Sequence, residues 1–381
     1  MKVCLFTDTL GDLNGVSRFI TDMGELALEQ NWQLFLVTST AKPVPSLPNI
    51  RNLPYRFRVA MPFYQELDLV WPKAEAITQL LEEMQPDWVH ISTPGPFGWY
   101  AKREAERLGI PLIGTYHTDF PAYLYDLTGS HWLKRRTDRV MTRFYEPFVK
   151  VLSRSLAYTE VMVNDLQLPR EKLAVIHPGT NLEKFHPRHT DVTVWQAFGL
   201  SPNRLKVLYV GRMNVEKNLP FLCQVWQNLQ ERIAEQGLPI QADLILVGEG
   251  RFQRWTDKMR PWHAYFLGPV VGETLSKLYA SADLFVFPST TDTLGQVVME
   301  AQASGLGCLV SDLGGPQSLI VENHTGKVLP ANQLSAWVAA LQEVLSDEAL
   351  RAHWHQQAPL QMQNYDITDS FADFRALHTR D

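Results

Sequence analysis

Residues 284–305 read Leu-Phe-Val-Phe-Pro-Ser-Thr-Thr-Asp-Thr-Leu-Gly-Gln-Val-Val-Met-Glu-Ala-Gln-Ala-Ser-Gly. The apolar run Leu284 to Phe287 stops at Pro288 and reads as a buried strand. A polar turn follows, and from Gly295 the spacing of Val297, Val298 and Ala301 is helical. Asp292 therefore sits in the loop at the carboxyl end of a strand, where open α/β sheets hold their ligands. Glu300 lies about a turn and a half into the helix, roughly 7 Å further along at about 1.5 Å per residue. Two carboxylates so spaced can reach two parts of one extended ligand. The helix N-terminus between them points backbone N–H groups at any anion. A sugar nucleotide, with hydroxyls and a diphosphate, suits that arrangement; so does no ligand at all, if the two acids simply face solvent.

Outward from this stretch, strand-like runs alternate with helical patterns, which predicts parallel α/β layers. The first half offers Val3–Phe6, Leu34–Val37, Trp88–Ile91, Leu112–Gly114 and a run near Leu156–Tyr158. The second offers Val207–Val210, Leu244–Val247, Tyr265–Leu267, Leu284–Phe287 and Leu306–Val310. The turn-rich His177-Pro178-Gly179-Thr180-Asn181 lies between them and places a domain boundary near residue 180. At 381 residues the chain has room for two domains, each with its own core.

A formal net charge of −6 argues against general nucleic-acid binding, which favours a basic chain. Cys4, Cys223 and Cys308 all fall in apolar segments and read as core residues, and so sparse a count suggests a reducing, cytoplasmic setting. The opening Met1-Lys2-Val3-Cys4-Leu5-Phe6 runs straight into a turn and reads as a core strand rather than a signal peptide. No stretch of about 18 apolar residues is present to span a membrane.

Further loops after strands carry chemistry. Gly211-Arg212-Met213-Asn214-Val215-Glu216-Lys217-Asn218 places two cations at a strand mouth, the usual need of a diphosphate. Its glycine would let a ligand approach the backbone closely. Gly15 opens a helix striped by Val16, Phe19, Ile20 and Met23, and would let that helix N-terminus meet a phosphate or sugar directly. Val247-Gly248-Glu249-Gly250 lacks the third glycine of a dinucleotide fingerprint, since Gln253 stands there; this weighs against an oxidoreductase. His117, in Gly114-Thr115-Tyr116-His117-Thr118-Asp119, is either a ligand contact or a hydrogen-bonded structural histidine.

The Asp292-x7-Glu300 spacing, with Glu300-Ala301-Gln302-Ala303-Ser304-Gly305, resembles the Glu-x7-Glu signature of retaining glycosyltransferases of family 4 (group 1). Gly-Arg followed by Glu-Lys-Asn about eighty residues earlier is similar to that family's diphosphate loop. The chain departs at Asp292, where most members carry Glu. The resemblance implies a GT-B fold, two Rossmann-like doubly wound domains facing across a cleft. Residues 1–180 would bind the acceptor and residues 181–359 the donor, with a helix from about 360 to 381 crossing back.

It further implies roles. Arg212 and Lys217 would hold the diphosphate, Asp292 the transferred sugar and Glu300 the ribose, with Leu294 and Gly295 in the same donor loop. Gly15 would face the donor sugar, and His117 would contact it. Gly248, Gly250, Leu267, Gly268 and Val270 would flank the nucleoside, partly through backbone contacts. Asp119, Phe120, Tyr123 and Tyr125 would line the acceptor side. The donor is a UDP- or GDP-sugar, no other cofactor is implied, and without an Asp-x-Asp pair no obligatory metal is implied either. Catalysis would rest on His117, Asp292, Arg212 and Lys217, with same-face attack by the acceptor.

Residues 131–150 carry six Lys/Arg against two acids in a chain that is negative overall. Trp132, Leu133, Val140, Phe144 and Phe148 would form an apolar face beside Lys134, Arg135, Arg136, Arg139 and Arg143. Such a helix can rest on an anionic bilayer, each cation contributing about 1 kcal/mol near the surface; Arg56-Phe57-Arg58 and Phe63-Tyr64 would add to it. A solvated helix packed by its aromatic stripe is the alternative. The resemblance extends to lipid-glycosylating members, so the expected acceptor is a membrane lipid such as diacylglycerol, met at the inner face of the membrane. A soluble glycan or sugar-phosphate acceptor, or a catalytically silent GT-B binding protein, are the rivals.

Overall fold

The computed structural model describes the chain apart from residues 13, 62, 63, 155, 293, 380 and 381, and apart from the side chains of residues 60–68, 123, 126, 127, 156 and 157. Phe63 and the side chains of Tyr64 and Tyr123, all assigned roles above, lie outside what is described. Two compact units emerge, one formed by Met1–Pro178 with the C-terminal stretch from Thr368, the other by Gly179–Ile367.

Unit 1 holds strands β1 (Lys2–Phe6), β2 (Gln33–Thr38), β3 (Ile50–Asn52), a hairpin of β4 (Tyr55–Met61) and β5 (Tyr64–Pro72), β6 (Trp88–Ile91), β7 (Leu112–Thr115), β8 (Lys150–Ser153) and β9 (Leu173–Val175). Leaving out the hairpin, these form a parallel sheet ordered β3-β2-β1-β6-β7-β8-β9. Unit 2 holds β10 (Leu205–Val210), β11 (Ala242–Val247), β12 (Ala264–Gly268), β13 (Leu284–Phe287), β14 (Cys308–Ser311) and β15 (Gly326–Leu329). They too are parallel, ordered β12-β11-β10-β13-β14-β15. The central strands are buried along their whole length, β11 and β13 at every residue, because helices cover both faces of such a sheet. All three cysteines are buried, and burial pushes the Cys4 and Cys223 thiols up to about 12.

In each unit the order reverses once, between β1 and β6 and between β10 and β13. A doubly wound sheet leaves a crevice at that reversal, outside the carboxyl ends of its strands, because the neighbouring connections depart to opposite faces.

The chain passes between units at two places, and these lie side by side: Thr180 N–H donates to Tyr365 O (2.9 Å) and Ile367 N–H to Thr180 O (3.0 Å). The helix Glu348–Met362 stays with unit 2, so the return begins at Thr368 rather than near 360. The final helix, Ile367–Ala376, buries Phe371 and Phe374, and both meet the ring of Trp32 edge-on at 5.6 and 6.0 Å.

One sequence expectation is corrected. The run near Leu156–Tyr158 lies in a helix, Leu156–Asn164, and the strand is Lys150–Ser153. A three-residue apolar run carries no period, so it fits either element. The Tyr55-Arg56-Phe57-Arg58-Val59 stretch is strand β4, its strict alternation is the period of a strand, and Phe57 and Val59 are exposed on it.

Two glycines with left-handed φ test the packing. A Cβ on Gly326 (φ +156°) would stand 1.9 Å from the backbone carbonyl of Cys308 in the paired strand, whereas one on Gly237 (φ +60°), beyond a helix end, meets nothing within 4 Å. Gly237→Ala should therefore lower stability by only about 1 kcal/mol. Gly326→Ala should cost well over about 2 kcal/mol, since strands β14 and β15 must part. Urea denaturation midpoints of the two variants measure the difference, and equal losses would contradict the register.

Candidate functional site

The reversal in unit 2 is bridged by one ion pair. Lys217 comes from the loop after β10 and Asp292 from the loop after β13. The Lys217 Nζ donates to both Asp292 carboxylate oxygens, each at 2.7 Å. Lys217 ends a single 3-10 turn, Val215–Lys217, and is buried. Asn218 then takes a left-handed conformation (φ +56°) and starts the helix Leu219–Gln236. Asn218 tolerates this conformation better than most residues, and its Nδ2 donates to Asn332 Oδ1 at 2.9 Å.

Asp292 is held from behind as well. Its carbonyl accepts from Gly315 N–H (2.7 Å), and a Cβ on Gly314 (φ +82°) would stand 2.6 Å from that carbonyl. Burial by itself would raise the Asp292 pKa. The Lys217 ammonium outweighs it, with Arg212 adding, and holds the carboxyl below its usual value. Arg212 lies in the same loop as Lys217, with Nη1 3.6 Å from Glu216 Oε1. Its backbone is fixed by Tyr209, whose hydroxyl donates to Arg212 O at 2.7 Å.

The glycines of these loops serve the protein's own backbone. Gly211 N–H donates to Val247 O (3.0 Å), Met213 N–H to Glu249 O (2.7 Å) and Gly248 N–H to Gly268 O (2.9 Å). A Cβ on Gly248 would lie 2.1 Å from Gly211 O, and one on Gly250 would lie 2.8 Å from both Met213 O and Asn214 Oδ1. The space left by the missing side chains at Gly248 and Gly250 is thus filled by the neighbouring loop. Leu267, Val270 and Leu294 pack their side chains partly against the unit 2 core, so any contact from them to a nucleoside falls chiefly to backbone atoms.

Gly295 (φ +83°) precedes the helix Gln296–Ala303, and a Cβ there would press on Pro316 at 2.9 Å. Glu300 is buried on this helix, and Tyr279 Oη donates to its Oε2 at 3.0 Å. Tyr279 was not visible as a site residue in the sequence. Its helix, Gly272–Ala280, reads simply as core spacing through Leu275 and Leu278.

Unit 1 is built differently. Across its reversal, between the loops after β1 and β6, the Thr93 hydroxyl donates to Asp8 Oδ2 and Asp8 N–H donates to Thr93 Oγ1, both at 2.9 Å. Burial pushes the Asp8 carboxyl up to about 7, against the Thr93 hydrogen bond and aided by the charge of Asp12. Nothing in the sequence singled out Asp8, which reads as an ordinary turn residue. Asn14, beside Gly15, caps the helix Gly15–Glu29 and accepts from Val16 N–H (3.0 Å) and Ser17 N–H (2.9 Å). Those two amides are therefore already engaged in the cap.

His117 follows β7. Burial, with the Arg154 charge nearby, pulls its pKa down to about 3, so the imidazole is neutral at ordinary pH. Its ring meets Phe19 edge-on at 6.2 Å, and the Arg154 guanidinium covers the same Phe19 ring at 4.3 Å. Arg154 is a second residue without a sequence signal. Asp119 caps the helix Phe120–Thr128, accepting from Ala122 N–H at 3.0 Å and from Tyr116 Oη at 3.2 Å. Its carboxylate is thus tied to local structure.

The basic segment forms a helix over His131–Tyr145 only. Phe144 and Phe148 are fully buried in the unit 1 core, and Lys134 is paired with Asp165 (2.7 Å) and Asp138 (3.5 Å). Both findings correct the single amphipathic face expected above. The exposed face instead carries Trp132, Arg135, Arg136, Arg139, Val140 and Arg143, at i, i+3, i+4, i+7, i+8 and i+11. Trp132 is 66% exposed, and Arg136 lies over its ring at 5.4 Å. Among the described residues no ion pair joins these four arginines to an acid. No helix of the described residues is long and apolar enough to cross a membrane, and no cluster of three His, Cys, Asp or Glu among them is arranged to hold a metal ion.

Comparison with known proteins gives two family models that between them match most of the chain: Glycosyltransferase Family 4 over residues 13–184 and Glycosyl transferases group 1 over residues 195–361. The sulfoquinovosyl transferase SQD2 of Arabidopsis thaliana is 29% identical over 311 residues, covering 80% of this chain and 59% of its own. A GDP-mannose-dependent alpha-mannosyltransferase of Mycolicibacterium smegmatis is 26% identical, covering 86% of this chain and 84% of its own. The chain spans 59%, 66% and 62% of the lengths of SQD2 and of the two mannosyltransferases from Corynebacterium glutamicum and Mycobacterium tuberculosis that it also matches. Among solved structures, Anabaena HepE in complex with UDP-glucose superposes with a TM-score of 0.75 at 16% identity, over 99% of both chains. The glycosyltransferase WaaG does so with 0.76 at 15%, over 100% of both. The fold is GT-B.

The ion pair gives a direct test. Lys217→Met leaves the Asp292 carboxylate without its main partner, and should lower stability by about 1–3 kcal/mol, less than a fully buried pair because both groups keep some solvent. Lys217→Met with Asp292→Asn should recover part of that loss. A carboxyl with a depressed pKa stabilises the fold above its unfolded value near 4 and loses that contribution as pH falls. The gap between wild type and Lys217→Met, read from urea midpoints, should therefore narrow from pH 7 to pH 3.

Proposed function

The chain belongs to the group 1, family 4 glycosyltransferases, and we propose that it moves a hexose from a nucleoside diphosphate sugar to the hydroxyl of a membrane lipid, with retention of configuration. The observation that carries the reading is the Lys217–Asp292 pair at the unit 2 reversal, with Arg212 beside it and Glu300 on the adjoining helix. A diphosphate arriving there competes with Asp292 for the Lys217 ammonium, which frees the carboxylate to hold a hydroxyl of the transferred sugar. Arg212 and Lys217 then stabilise the charge that develops on the departing diphosphate, the kind of preorganised electrostatics that contributes most in a site closed to water. Glu300, oriented by Tyr279, takes the ribose hydroxyls.

His117 is assigned the sugar contact. Held neutral, it offers one nitrogen to donate and one to accept, as a sugar hydroxyl requires. The acceptor attacks from the face the leaving group departs, so no enzymic nucleophile or metal is invoked. We take UDP ahead of GDP as the donor base; the HepE complex holds UDP-glucose, while the mannosyltransferase relatives are GDP-mannose-dependent. The lipid acceptor rests on the face of Trp132, Val140 and four arginines, which suits peripheral contact with an anionic leaflet, and on likeness to a sulfoquinovosyl transferase.

Incubation with a panel of UDP- and GDP-sugars and a lipid extract, followed by mass spectrometry, should yield one glycolipid product. Arg212→Ala and Lys217→Ala should each lower turnover by roughly 100-fold or more. Asp292→Glu should stay active while Asp292→Asn does not. Near-normal turnover in both cation variants would overturn the assignment.

Membrane contact has its own test. Vesicle flotation should require anionic lipid and weaken as salt rises, because exposed charges are screened over about 8 Å at physiological ionic strength. Replacing Arg135, Arg136 and Arg139 by Ser should abolish flotation and slow transfer to a bilayer acceptor, yet spare transfer to a short soluble analogue. Equal loss on both acceptors would assign these arginines to the fold instead.

A further inference from the structure

A chain of buried hydrogen bonds runs through unit 1 from the C-terminal turn to the strand that carries His117. His378 Nδ1 lies 2.6 Å from Phe374 O, His378 Nε2 lies 3.0 Å from His90 Nδ1, and His90 Nε2 lies 2.8 Å from Thr115 Oγ1. Both histidines are fully buried, and burial holds both neutral: His378 is pulled down to about 4, and His90 well below its ordinary value.

Neutrality fixes every proton in the chain. A carbonyl only accepts, so His378 carries its proton on Nδ1 and donates to Phe374 O. Its Nε2 is then bare and must accept, so His90 carries its proton on Nδ1. That leaves His90 Nε2 bare, and Thr115 must donate its hydroxyl proton to it. The three bonds run one way, from Thr115 to His90 to His378 to Phe374. Aromatic contacts hold the far end, with Trp32 at 5.8 Å and Phe374 at 4.5 Å from the His378 ring.

Thr115 is the last residue of β7, and Tyr116 and His117 follow it at once. Its carbonyl accepts from Tyr145 Oη at 3.2 Å, and Tyr116 N–H donates to Leu152 O at 2.7 Å. Among the described residues, the titratable side chains whose charge acts on the buried His90 ring are His378 and His117 itself. We propose that His90 and His378 are positioning residues: by dictating that Thr115 donates, they set the geometry of the Tyr116–His117 segment, which makes the C-terminal turn a working part of the unit 1 site. This rests on the reading of His117 as a sugar contact.

Isosteric variants separate this from a merely structural role. His378→Phe keeps the packing against Trp32 but removes the acceptor, which frees His90 to move its proton to Nε2 and reverse the Thr115 bond. His90→Gln can place an amide oxygen where Nε2 stood, which lets Thr115 donate again when Phe stands at 378. With UDP release from UDP-glucose as the assay, His378→Phe should lower kcat about tenfold with KM little changed, the effect of one hydrogen bond of about 1.4 kcal/mol. Adding His90→Gln should restore kcat to within about threefold, a rescue that improved packing cannot produce. A double variant no better than His378→Phe would overturn the proposal.

A readout independent of turnover keeps the two claims apart. Nitrogen-15 histidine spectra of the whole protein at pH 7 should place the protons of His90 and His378 on Nδ1. The His117 ring signals should shift in His378→Phe and return in the double variant. His117 signals unmoved by His378→Phe would overturn the positioning role whatever the enzyme does. Moving signals in a protein that uses no UDP- or GDP-sugar would leave the positioning role standing and refute the proposed function.

Discussion

An ammonium and a carboxylate, brought together from loops on either side of one strand-order reversal, set the terms for the rest of unit 2. Lys217 and Asp292 are each too enclosed to remain unpaired, since a buried charge without a partner costs several kcal/mol. The surrounding construction keeps them opposed. Asn218 accepts a left-handed turn so that Lys217 can end its loop, and Gly315 supplies an amide to the Asp292 carbonyl. Gly211 and Gly248 let the neighbouring loops approach closely enough to hydrogen bond. Such a pair is stable alone and open to exchange, because an incoming dianion can replace the carboxylate on the lysine.

The two units handle charge in opposite ways. Unit 2 keeps its charges, as the depressed carboxyl of Asp292 and the adjacent Arg212–Glu216 pair attest. Unit 1 suppresses them. Burial brings His117 down to about 3, takes Asp8 up to about 7, and leaves His90 and His378 neutral. An anionic donor needs fixed cations, whereas a sugar or lipid hydroxyl is better met by neutral donors and acceptors. That division matches the roles proposed for the two units.

Much of the fold was legible because strand runs and helical spacing are local signals. Leu284–Phe287 and the helix Gln296–Ala303 lie where the apolar pattern puts them. What the sequence withheld was pairing across distance and the direction side chains face. Lys217 and Asp292 were both singled out, but nothing local says that residues 75 apart share a proton-bearing bond. The apolar residues of 131–150 appeared as one stripe, yet Phe144 and Phe148 turn into the core while Trp132 and Val140 stay outside with the arginines. Glycine told where backbone comes close and not to what; at Gly248 the space a side chain would need is held by Gly211. Tyr279, Arg154 and His378 were hidden because a buried polar side chain looks like core spacing until its partner is known.

The claim on which the account turns is that the unit 2 reversal recognises a diphosphate. Calorimetric titration with UDP and GDP, set against UMP and GMP, measures it most directly. Each charge-assisted hydrogen bond is worth about 1.5–3 kcal/mol, so even one gained by a second phosphate from Arg212 or Lys217 should tighten binding by roughly 10- to 100-fold for the preferred base. Equal affinity for the monophosphate and diphosphate of both bases, or no binding of any, would contradict it.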